Sequence, residues 1–167
     1  MRSNGYRRRE LFALIGSAAT IWSLGVRAQQ PVHVKRIGIL IGTTKDELTQ
    51  SYVRALEMGL QELGWFDGRN LHIEYRWARG DPDRMHAFAK ELVALAPDLI
   101  VGVMTPVVAA LKQQTRTIPI VVVGVSDPVR SGFVESFARP GGNITGFTIY
   151  ETTLGGKWLQ LLREIAP

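Results

Sequence analysis

The chain has 167 residues, 46% of them hydrophobic, a formal net charge of +5 and no cysteine. That length suffices for one domain with a real core, and the absence of cysteine excludes disulfides, thiolate-held zinc, iron–sulfur clusters and thiol nucleophiles. The basicity is confined to the start: residues 1–28 carry Arg2, Arg7, Arg8, Arg9 and Arg27 against Glu10, and the remainder holds 15 basic and 14 acidic residues, with no basic run that would track a nucleic acid backbone.

The first predicted element is a leader. Arg7-Arg8-Arg9 precedes a mostly apolar stretch of 16 residues, Leu11 to Val26, and Val26-Arg27-Ala28 has the small-residue character of a cleavage site. The stretch is shorter than the roughly 20 apolar residues of a membrane span, so a cleaved signal ending at Ala28 is expected, with membrane contact only during export. Arg8 and Arg9, followed by Glu10-Leu11-Phe12, resemble a twin-arginine motif; the general secretory route is the alternative.

From Arg36 onward, short apolar runs alternate with helical periodicity. Arg36 to Gly42 reads as a buried strand. Glu47 to Leu63 reads as a helix with Leu48, Tyr52, Val53, Leu56, Leu60 and Leu63 on its apolar face. Thr44 to Glu47 reads as its capping box and Gly64 as its C′ residue. Leu71 to Trp77 alternates like a strand with one polar face. Asp81-Pro82 opens a second helix as cap and first residue, stopped by Pro97. Leu99 to Met104 is a third strand. Thr105-Pro106 repeats the cap-and-proline device for a helix to about Thr115. Ile118 to Val125 is a fourth strand, Val129 to Phe137 a short helix, Arg139 to Asn143 a turn cluster, Ile144 to Ile149 a fifth strand, and Thr153 to Ile165 a final amphipathic helix. Such βα alternation implies an α/β fold, a mostly parallel sheet flanked by helices.

Ligands of open α/β sheets bind beyond the carboxyl ends of the strands. Those ends carry Gly42-Thr43-Thr44, Ala78-Arg79-Gly80, Thr105-Pro106, Ser126-Asp127-Pro128 and Thr148. Hydroxyls, a carboxylate and helix N-termini on one rim suit a small polar solute whose anionic group meets helix-end N–H donors. Capping alone also accounts for Thr44, Thr105 and Asp127; the sharper reading of Asp127 is a counter-ion for a ligand ammonium. Trp65, Trp77 and Trp158 are packing residues or aromatic stacking platforms. Neither a dinucleotide fingerprint, a Walker loop nor a nucleophile elbow is present. His33, His72 and His86 lack metal-ligand spacing, so no catalytic group, cofactor or metal is expected.

Five stretches together resemble one bacterial family of ABC-transporter substrate-binding proteins: Asn70–Ala78, Ala96–Val101, Ile118–Val122, Ser126–Val129 and, most specifically, Ala138–Phe147 (ARPGGNITGF). The leader is similar to those of the family as well. The resemblance implies a type I periplasmic-binding fold of two lobes closing on a solute, tryptophan and tyrosine among the ligands, in a chain about twice as long. It implies a signal peptide over 1–28, a linker over 29–35, an N-terminal α/β lobe over 36–149 and, over 150–167, the crossover and first helix of a second lobe whose remainder would follow. The fold class is accordingly a periplasmic-binding-protein-like lobe, flavodoxin-like and three-layered. By position the cleft would use Thr43, Thr44, Thr105, Ser126 and Asp127, the partners would be the solute and, at full length, ABC permease subunits, and the location would be the periplasm. A ligand-sensing regulatory module of the same fold and a small α/β isomerase are the alternatives.

Overall fold

The computed structural model describes residues 34–150 and 153–166. The leader, with Arg8, Arg9 and Ala28, lies outside them, as does most of the expected linker. In chain order the elements are β1 (Lys35–Ile41), α1 (Glu47–Glu62), β2 (Leu71–Trp77), α2 (Pro82–Ala94), β3 (Leu99–Val103), α3 (Thr105–Gln114), β4 (Ile120–Ser126), β5 (Ile144–Tyr150) and α4 (Thr153–Ile165). The strands form one sheet in the order β2-β1-β3-β4-β5, and every neighbouring pair is parallel. The fold is α/β, as its alternating pattern predicts.

Strands buried on both faces must be apolar throughout, and the inner strands obey this. On one face Leu40, Ile100, Ile120, Val122 and Ile144 pack with Met85, Ala89 and Leu92 of α2 and with Val107, Val108 and Leu111 of α3. On the other face Ile39, Ile41, Ile73 and Val101 meet Val53 and Leu60 of α1. At Gly102 α3 lies close on the sheet: a Cβ there would stand 3.0 Å from Leu111 Cδ1. On the α1 side the β4–β5 half of the sheet is bare among the described residues, leaving Val123 and Phe147 exposed.

Several local expectations are corrected. No helix forms over Val129–Phe137. Asp127 turns the chain in the left-handed region at φ 43°, its Oδ1 accepts from the Arg130 N–H at 3.0 Å, and Gly132 at φ 67° ends the single turn. Buried Phe133 then holds the loop onto the core. Asp127 thus caps a turn, not a helix.

Thr44 does not cap α1 either. The cap is Asp46, whose Oδ1 accepts from Thr49 N–H at 2.8 Å and from the Thr49 hydroxyl at 2.7 Å; the Thr44 hydroxyl donates to Asp46 Oδ2 at 3.1 Å. An acceptor two positions nearer the helix has simply taken over the donor. Thr105 is already helical and leaves the cap position to Met104, which makes no side-chain capping bond. The expected apolar face of α1 is only partly used: Leu48, Tyr52, Leu56 and Leu63 are exposed. Asp81 does cap α2, accepting from Asp83 N–H at 2.9 Å, with Pro82 next, and Gly64 does follow α1 at φ 84°.

Candidate functional site

Because all five strands are parallel, their carboxyl ends share one edge. Thr43, Thr44, Thr105, Ser126 and Asp127 all lie there, following β1, β3 and β4. The order β2-β1-β3-β4-β5 reverses direction between β1 and β3, and a crevice opens outside the sheet at such a reversal. Thr43 flanks it from β1 and Thr105 from β3. Ser126 and Asp127 extend the rim toward β5.

The rim is laced together by its own backbone. Ala78 N–H donates to Ile41 O at 2.9 Å, Gly80 N–H to Gly42 O at 2.6 Å and Arg79 N–H to Thr43 O at 3.2 Å, closing the β1–β2 corner. Thr105 Oγ1 accepts from Ser126 N–H at 3.2 Å, tying the head of α3 to the end of β4. The Thr43 and Thr49 hydroxyls lie 3.4 Å apart. Thr43, Thr105 and Asp127 are half-buried, while Thr44 and Ser126 are exposed. The rim therefore faces outward with fixed hydroxyls beside the N-terminus of α3.

Backbone strain gathers at the same edge. Among the described residues Arg79, Ala96, Met104 and Asp127 are the non-glycine residues with positive φ, and three of the four follow strand ends at the rim. Such conformations cost of order 1–3 kcal/mol each and concentrate at functional sites. Met104 is the extreme case, at φ 85° and ψ 148°. Its N–H donates to Val123 O at 3.0 Å and its carbonyl accepts from Val108 N–H at 3.2 Å, so β4 and α3 together hold it. The sequence gives no sign of this conformation, since Met104 reads as the last residue of an apolar strand.

The tryptophans do not converge on the crevice. Trp77 ends β2 with Lys45 Nζ 5.9 Å above its ring, Trp65 follows α1, and Trp158 is exposed on α4. Beside Trp77, Tyr75 donates to Glu57 Oε1 at 2.7 Å; burial first, and then this bond to a carboxylate, pushes its phenol well above the ordinary range. His72 pairs with Glu74 at 2.9 Å, which with Arg76 holds the Glu74 carboxyl below its usual value. Among the described residues no cluster of histidine and carboxylate side chains could hold a metal ion, and no helix is long and apolar enough to cross a membrane.

An open parallel sheet with polar residues at the strand ends of its reversal defines a class of small-molecule binding lobes. Residues 36–167 match the family of ABC transporter substrate-binding proteins, and this chain belongs to that family. It is 33% identical over 122 residues to a tyrosine-binding protein of Clostridioides difficile, covering 73% of this chain and 34% of that protein. Its fold is similar to that of a conserved domain protein from Vibrio cholerae, with a TM-score of 0.69 and 30% identity over 80% of this chain and 44% of the other. A ligand-free, open substrate-binding protein with adhesive properties from Clostridium difficile gives 0.68 and 30% over the same shares. An ABC domain in complex with L-Trp from Streptococcus pneumonia gives 0.63 and 31%, over 68% of this chain and 38% of that one. The chain thus spans about a third of the curated relative and under half of these solved structures.

Proposed function

We propose that the rim formed by Thr43, Thr44, Thr105, Ser126 and Asp127 is one wall of a solute cleft, and that the protein is the solute-binding component of an ABC import system, without catalytic activity. The observation that carries this reading is the coincidence of family membership over residues 36–167 with polar residues gathered at the strand ends around the β1–β3 reversal. The solute class is an amino acid, in line with the tyrosine and tryptophan named for two relatives. Its carboxylate meets the N–H groups at the head of α3, where the helix dipole favours an anion. Its ammonium is placed toward Asp127. The lobe occupies 36–149, residues 150–167 lead toward a second lobe, and permease subunits are the partners.

Export to the periplasm belongs to the same proposal. It rests on Arg8-Arg9, the apolar stretch Leu11–Val26 and the Ala28 site in the sequence. Replacing Arg8 and Arg9 by lysine should leave the protein in the cytoplasm, as cell fractionation reads it; undiminished export would point to the general secretory route, and cytoplasmic retention of the parent chain would refute export.

The binding claim is tested by titrating L-tryptophan into the labelled chain and following backbone amides by NMR. Perturbations centred on Thr43, Thr105 and Ser126, lost or weakened in D127N, are expected. Perturbations confined to the opposite edge of the sheet would remove the proposed site.

A further inference from the structure

We propose that Met104 is a specificity-determining residue of this cleft, its thioether forming the floor on which the aromatic ring of the solute rests. The proposal deepens the amino-acid-binding reading and rests on it. Three observations converge on Met104. It follows β3, the central strand, at the reversal between β1 and β3. Its side chain reaches the tip of β1: Met104 Sδ lies 3.1 Å, and Val107 Cγ2 3.2 Å, from where a Cβ on Gly42 would stand, so a larger residue at 42 would push the thioether aside. And its backbone holds a conformation, φ 85° and ψ 148°, close to a region that glycine alone usually occupies.

The third point decides the matter. A glycine would satisfy the backbone at position 104 without strain. The chain carries instead a long, polarizable side chain, half-buried on the edge that also bears Thr43 and Thr105. Retaining the strain is costly unless the side chain is used. A thioether suits an aromatic partner, because a polarizable sulfur makes favourable contacts with rings and an unbranched side chain adapts to ring shape. The hydroxyls and the head of α3 then orient the polar end of the solute, and Met104 selects its ring.

The test uses the full chain with carbon-13 in its methionine methyl groups. There are four methionines, Met1, Met58, Met85 and Met104; Met85 is buried in the core and Met58 exposed on α1, so both serve as internal controls, and M104L assigns the fourth signal. L-Tryptophan should move the Met104 methyl upfield by its ring current and leave Met58 and Met85 in place. L-Leucine should perturb the rim amides without that methyl shift. In M104L the preference for L-tryptophan over L-leucine should fall roughly three- to tenfold. If rim amides respond to L-tryptophan while the Met104 methyl stays still, or if M104L keeps the parent's preference, the floor assignment is overturned and the binding reading survives. If neither amides nor methyl respond to any amino acid, both fall together.

Discussion

Asp46 shows how much one carboxylate can fix at the start of a helix. It accepts from the Thr49 N–H and hydroxyl and from the Thr44 hydroxyl. These bonds, the backbone one first, stabilise the ionised form and hold its pKa below the ordinary value. A folded pKa below the unfolded one means that the cap's contribution is present above about pH 4 and is lost as pH falls through the lowered folded value. Asn caps about as well as Asp but does not titrate there. The stability gap between the parent and D46N, measured by urea unfolding, should therefore change between neutral pH and about pH 3; a constant gap would show that Asp46 does not act as an ionised cap. At Gly146 the constraint is steric. Its φ is 146°, and a Cβ would stand 2.2 Å from Val122 O, which is backbone in the neighbouring strand and cannot swing away. G146A should cost about 3 kcal/mol or release β5 from β4, read by unfolding and by amide exchange along Ile144–Thr148; native-like stability would show that the strand shifts freely.

At the scale of elements, the strands and most helices were legible because their signals are physical and local. Continuous β-branched runs favour buried strands, and Asp81-Pro82 supplies a cap and a first-turn proline from adjacent residues. What escaped was decided by neighbours. Thr105 looks like a cap until the Ser126 N–H is brought 3.2 Å from its hydroxyl by the β3–β4 pairing. Residues 129–137 have a helical apolar spacing, yet the left-handed turn at Asp127 and Gly132 cuts the helix off. The apolar stripe of α1 was readable, but not which part would meet the sheet. Likewise the rim residues were legible from strand ends, and Met104 was not, because positive φ in a methionine leaves no mark on the sequence. The two kinds of apolar helix face predict opposite mutational outcomes. Leu92 of α2 is fully buried and lies against the sheet at Gly38, so L92A should cost 2–5 kcal/mol, about the range for core leucines. Leu162 of α4 is 58% exposed, so L162E should change unfolding free energy by no more than about 0.5 kcal/mol. A large loss in L162E would mean that α4 has an internal partner in solution.

For the whole molecule, the decisive quantity is how much of a solute this rim can cover. Thr44 and Ser126 are exposed and the other rim residues only half-buried, so a bound solute would keep one side in water. Sites for small molecules typically enclose about 70–90% of the ligand surface. A cleft of micromolar affinity is worth about 8 kcal/mol, and half of that corresponds to roughly millimolar binding. These residues alone should therefore bind L-tryptophan at about the millimolar level, with an affinity that calorimetry finds too weak to saturate and NMR titration resolves. Joining them to the further sequence that fills out the lengths of the relatives, of which this chain spans 34–44%, should raise the affinity about a thousandfold. Because the added contacts come from outside the rim, T105V and D127N should weaken both forms by similar factors. Micromolar binding by the 167-residue chain as a monomer would show that its own residues close over the solute, and the one-wall account of the cleft would be wrong.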